Sequence, residues 1–142
     1  MNRAMVNPAS STDDTGKLLL RVLIGALILV HGISKVQNGL GPVLGAVGKA
    51  GLPSAVAYLV YVGEVLAPVL LIVGLWTRPA ALVVAINMVV ALALVHTAQI
   101  ATLGPTGGWA VELQAMYLFG ALAVALLGAG RFSVGGWNGR WN

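Results

Sequence analysis

Apolar residues run almost unbroken through four stretches of this chain, at about Leu18–Gln37, Ser54–Gly74, Pro79–Gln99 and from Gly108 or Trp109 to about Gly128. Each is about 20 residues long, so as a helix rising about 1.5 Å per residue each reaches across the roughly 30 Å hydrocarbon layer of a bilayer. The pattern predicts an all-α integral membrane protein, a four-helix bundle. The segment NGLGPVLGAVGKAGLP between the first two stretches is rich in Gly and Pro yet still apolar. It suits a short amphipathic or re-entrant helix at the membrane edge, stopped by Gly51 and Pro53. Ser54 is a suitable N-cap for the second helix, and Pro68 predicts a kink within it. The turn Trp76-Thr77-Arg78-Pro79 puts an aromatic ring at headgroup depth, a cation in the polar layer and a proline at the start of the third helix.

Polar positions inside these stretches are few. Tyr61, Glu64 and Pro68 share one face, so the kink should open space on the side where Glu64 points. Gly63 and Ala67 allow close approach of a neighbouring helix. On the first helix Arg21, Gly25, Gly32 and Lys35 fall on one side with His31 beside them, and this side should face the bundle. Arg21 and Lys35 also lie close enough to the helix ends for their stems to reach the interface. On the third helix Met88, Leu92, His96 and Gln99 form a stripe; Asn87 points elsewhere and is expected in a helix–helix hydrogen bond. On the fourth, Glu112, Met116, Phe119 and Ala123 make one face, read as core, with Gln114 on the other side.

Composition agrees with the membrane reading: 58% of the 142 residues are hydrophobic and 8% are charged. The net charge of +4 comes from basic residues scattered singly beside apolar runs. That distribution describes membrane edges rather than a nucleic-acid surface. The absence of cysteine excludes dithiol exchange, thiolate-bound metal, iron–sulfur clusters and covalent haem attachment through this chain. Residues 1–17 read as a disordered cytoplasmic tail, 18–132 as the folded domain and 133–142 as an interfacial tail anchored by its basic and aromatic residues.

With four spans both termini share a side. Arg3, Lys17, Arg78, Arg131 and Arg140 lie there, against Lys35 and Lys49 opposite. The positive-inside rule then makes the termini cytoplasmic, in a multi-pass protein of the cell's inner (plasma) membrane. His31, Glu64, His96 and Glu112 all fall toward the outward half, so each helix contributes one titratable group to a polar pocket above a dry inner half. Glu64 is the deepest of them. A carboxylate near the midplane is expected to face other helices and to be paired or protonated.

The motifs LLRVLIGALILVHGISK, GLP, the mid-helix Gly63-Glu64 pair, GLWTRPAA and the Val95-His96 ending resemble the DoxX family of small four-helix membrane proteins, in order and spacing, from about Leu18 to Phe132. The resemblance implies a four-helix bundle and an association with membrane redox chemistry, since the family includes a subunit of a thiosulfate:quinone oxidoreductase. It also marks Arg21, His31, Lys35, Glu64, Arg78 and His96 as positions matching the family's polar pattern.

The leading expectation is a membrane subunit of a redox complex that binds quinone or passes electrons or protons to it. Glu64, His31 and His96 are the candidate catalytic residues, and Tyr61, Lys35, Glu112 and Gln99 the candidate cofactor contacts. His31, His96 and Tyr61 would donate hydrogen bonds to the ring, and Glu64 and Glu112 would relay protons. The alternative is a non-catalytic membrane scaffold that docks a soluble redox partner. A third reading places haem b or copper between His31 and His96, with Met88 or Met116 nearby. Membrane lipid and a protein partner or second copy are the expected partners; no nucleic acid is.

Overall fold

The computed structural model describes residues 11–136 and 138–142. Of the expected tail, residues 1–10 lie outside this range, whereas Ser11–Lys17 are helical. Helix α1 spans Ser11–Asn38, starting well before Leu18. The reason is a docking contact: Asp14, 2% exposed, accepts a hydrogen bond from the Arg131 backbone N–H at 3.1 Å and pairs with the Arg131 guanidinium at 3.3 Å. A short helix α2, Gly41–Lys49, follows with a proline in its first turn, where the missing N–H is no loss.

The second long helix, Ser54–Val73, is composite: 3₁₀ over Ser54–Leu59, a π turn over Val62–Leu66, then α3 over Ala67–Val73. In the π turn the Ala67 N–H reaches back to the Val62 carbonyl. Pro68 has no N–H to offer the Glu64 carbonyl, so the expected kink takes the form of this widened turn around Glu64 itself. Helix α4 covers Thr77–Leu94 and α5 Glu112–Leu127. Their neighbours run antiparallel in a closed ring: α1 against α3, α3 against α4, α4 against α5, and α5 against α1.

Three helices, Ser11–Asn38, Ser54–Val73 and Thr77–Leu94, are long and apolar enough to cross a membrane, and α5 is a shorter apolar helix of 16 residues. Helix α5 starts later than Gly108 or Trp109 because the preceding loop folds on itself. Gly104 N–H bonds the Gly108 carbonyl, Ala110 N–H bonds the Thr102 carbonyl, and the Trp109 indole donates to the Ile100 carbonyl at 2.6 Å.

The face expected as the core of α5 points outward instead. Met116 and Phe119 are 70% and 65% exposed, while Tyr117, Ala121 and Val124, on the opposite side, are buried. Both sides of this helix are apolar, so hydrophobic patterning carries no direction when lipid is the surroundings. The dry core gathers Ile24, Ile28, Leu71, Ala81, Val84, Ala121 and Val124 toward the end of the bundle that holds the chain's described C-terminal segment.

That end is closed by two arginines. Arg21, 1% exposed, donates to the carbonyls of Leu71 and Ile72, both at 2.6 Å, of Ala129 at 3.2 Å and of Phe132. Arg78 donates to the carbonyls of Ala125 and Leu126 at 3.0 and 3.1 Å and to the main-chain oxygen of Asn142. Each guanidinium thus meets the last carbonyls of a helix, α3 or α5, where the helix dipole is negative. Neither serves mainly as an interface charge. The segment after Phe132 is likewise more than an anchor, since the Asn142 side chain bonds Thr77 and the Gly74 carbonyl in the α3–α4 turn.

Gly63 and Ala67 lie at helix contacts as expected. A Cβ at Gly63 would come within 2.6 Å of the Asn87 side chain on α4, and Ala67 is 2% exposed. Gly63→Leu is expected to destabilise the protein by on the order of 1–3 kcal/mol through overpacking. An unchanged thermal midpoint in detergent would refute the contact.

Candidate functional site

Above the dry core the helices part around a cavity of about 490 Å³. Its walls are apolar, from Ile28 on α1, Val43 and Val47 on α2, Val60 and Val62 on the composite helix, and Met88 and Val90 on α4. Seven polar side chains also line it: His31, Lys35, Glu64, Asn87, His96, Gln114 and Tyr117.

Glu64 is the centre of one polar group. It is 6% exposed, its Oε2 forms an ion pair with Lys35 Nζ, and its Oε1 accepts a hydrogen bond from Asn87 Nδ2 at 3.3 Å. The cluster therefore joins α1, the composite helix and α4. Its placement depends on Gly32, where a methyl group would overlap the Glu64 carbonyl. Only a glycine lets α1 come this close to the π turn, and the approach brings Lys35 within reach of the carboxylate.

The histidines form two further points. His31 Nδ1 bonds the Leu27 carbonyl at 2.9 Å, and its ring meets Tyr117 edge-on at 6.0 Å. A carbonyl can only accept, so Nδ1 carries the proton and Nε2 of a neutral His31 ring is an acceptor. His96 Nδ1 bonds Gln99 Oε1 at 2.8 Å, and His96 Nε2 bonds Gln114 Nε2 at 3.2 Å. With the amides so assigned, Nδ1 donates to one glutamine and Nε2 accepts from the other.

His31, Lys35, Glu64 and His96 all line one cavity. Three other expected residues do not line it. Tyr61 turns its hydroxyl to the Lys35 carbonyl at 3.3 Å, so it supports the lysine's helix instead. Gln99 acts through His96. Glu112 is an exposed residue in the first turn of α5, where the helix dipole favours an acid. Asn87 and Gln114 join the cavity although their helical positions had placed them on other faces. Asn87 does make the expected helix–helix hydrogen bond, but its partner is Glu64.

A bundle of antiparallel apolar helices enclosing a buried carboxylate paired with a half-buried lysine defines this as a polytopic membrane protein. The chain belongs to the DoxX family, whose family model matches residues 16–97. It is 38% identical over 79 residues to the "Putative oxidoreductase CatD" of Bacillus subtilis (strain 168), a match covering 56% of this chain and 58% of the relative. The matched region therefore spans little more than half of that relative's length. No solved structure matches the chain.

Proposed function

We propose that the protein is a membrane subunit of a redox complex and that its cavity binds a quinone. The observation that carries the reading is the convergence of the Lys35–Glu64–Asn87 cluster and both histidines on one apolar cavity of a size suited to a small ligand. Family membership and the oxidoreductase name of the Bacillus subtilis relative support a redox role.

The residues fit a quinone head, which needs flat apolar walls and hydrogen-bond donors at its carbonyl oxygens. Lys35 Nζ and Asn87 Nδ2 are the donors closest to the buried carboxylate, in place of Tyr61, whose hydroxyl is turned away. When bound, a quinone supplies a two-electron, two-proton carrier. Glu64 Oε2 and Lys35 Nζ hold a proton between them, Asn87 fixes the other carboxylate oxygen, and the Val and Ile walls exclude water. His31 Nε2 is an acceptor in the neutral ring and a donor once protonated, so it can exchange a second proton. Electrons enter from a protein partner, and the cavity end faces outward from the plasma membrane, with Arg78 and Arg131 on the cytoplasmic side.

The residues do not fit a bis-histidine haem b or copper site. Both ring nitrogens of His96 are engaged by glutamines, and of the two methionines expected nearby Met88 lines the cavity whereas Met116 points away at 70% exposure. The scaffold reading has one observation in its favour: the Lys35–Glu64–Asn87 cluster ties three helices together, which a purely structural cluster would also do.

Purification in mild detergent followed by solvent extraction tests the proposal. A quinone present at a constant, near-stoichiometric ratio is expected, and its loss in Glu64→Leu protein that remains folded. A soluble protein held at constant ratio with no quinone would favour the scaffold.

A further inference from the structure

The cavity has a side opening, and its position says what kind of molecule the site takes. The composite helix and α4 touch at Gly63, where a Cβ would strike Asn87. Beyond this contact they diverge, because Ser54–Leu59 packs on α2 while α4 continues against α5. The π turn at Val62–Leu66 sits where the divergence begins. The resulting wedge is bordered by Leu59 and Val62 on one side and Ile86 and Val90 on the other. All four line the cavity, yet all four are also exposed on the outer surface of the bundle, at 63%, 40%, 62% and 44%. Exposure this large on lining residues of two facing helices places the edge of the cavity at the surface here, and Val95 and Leu113, 58% and 48% exposed, extend that edge.

The surroundings of that surface are fixed by the same residues. Ile86 and Val90 lie within Thr77–Leu94, and Val62 within Ser54–Val73, two of the membrane-crossing segments. The mouth of the wedge is therefore bordered by aliphatic side chains at a depth where acyl chains, not water, are the solvent. At the inner end of the same space stand Lys35, Glu64 and Asn87.

We propose that the ligand is a tailed amphiphile dissolved in the bilayer, which enters sideways through the wedge, sets its hydrogen-bonding head against Lys35 and Asn87, and leaves its hydrocarbon tail between Val62 and Val90 in lipid. This rests on the quinone reading for the head and adds the tail and the route. A head-only, water-soluble molecule would have no use for an opening that faces acyl chains.

Binding to protein in phosphatidylcholine nanodiscs tests it, with decylubiquinone and its tailless parent ring as probes and concentrations normalised to the amount of each in the bilayer. Tryptophan at Ile86 or Val90 fills the wedge but leaves the polar end untouched, and Leu23→Trp, on an exposed position of α1 outside the cavity lining, controls for a bulky residue in lipid. Ile86→Trp and Val90→Trp are expected to weaken decylubiquinone by about tenfold or more while changing the tailless ring by less than about twofold; Leu23→Trp should change neither. Equal loss of both probes, or no loss of either, overturns the wedge and leaves the quinone site standing. If neither probe binds the unmodified protein, the quinone reading fails, and this proposal with it.

Discussion

Replacing Arg21 with methionine is expected to destabilise the protein in detergent by about 3 kcal/mol or more, the largest stability loss among single polar substitutions in the bundle. The guanidinium is 1% exposed and bonds four main-chain carbonyls, two at the end of α3 and two in the segment after α5. Methionine preserves much of the stem's packing but removes the donor from all four carbonyls, two of them, Leu71 and Ala129, in fully buried bonds. Arg21→Lys should recover only part of the loss, because three donors on one nitrogen cannot reach across the span that a planar fork bridges. A methionine variant with an unchanged thermal midpoint would show that the four bonds hold nothing together.

The second large effect is expected on activity. Glu64→Gln keeps the side chain's size and can keep its neighbours: the amide oxygen accepts from Lys35, and the amide nitrogen donates to Asn87 once that residue turns its own amide over. The fold is therefore expected to survive with a stability change of about 1–2 kcal/mol. What the amide cannot do is take up and release a proton. Quinone reduction in membranes carrying only the variant is expected to fall by about a hundredfold or more. Glu112→Gln, at an exposed helix start outside the cavity lining, is expected to change it by less than about twofold. A folded, fully active Glu64→Gln protein would assign the cluster to structure and the protein to the scaffold class.

Much of the architecture is legible in the sequence because membrane spans are written in length and apolar content, which need no knowledge of neighbours. The Gly63 contact and the widening at Glu64 were readable for the same reason: a glycine beside an acid, with proline four residues on, limits what the backbone there can do. Side assignment was not readable. Asn87 lies about 100° around α4 from Met88, yet both line the cavity, because a space of this width accepts more than one face of a helix. On α5 the exposed face is the one that carries Met116 and Phe119, which are as much at home against lipid as in a core. The roles of Arg21 and Arg78 were hidden for another reason. Their partners are main-chain carbonyls distant in sequence, Leu71 and Ile72 for one and Ala125 and Leu126 for the other, and no residue pattern marks a carbonyl that lacks a donor.

On the quinone proposal, Glu64 is expected to exchange a proton as a quinone in the cavity changes redox state. Infrared difference spectra of the purified protein with decylubiquinone, recorded as the quinone is reduced and reoxidised electrochemically, read this directly. A reversible carboxyl signal is expected that disappears in Glu64→Gln and persists in Glu112→Gln. A carboxyl signal unchanged by Glu64→Gln, in variant protein that still binds the quinone, would contradict it.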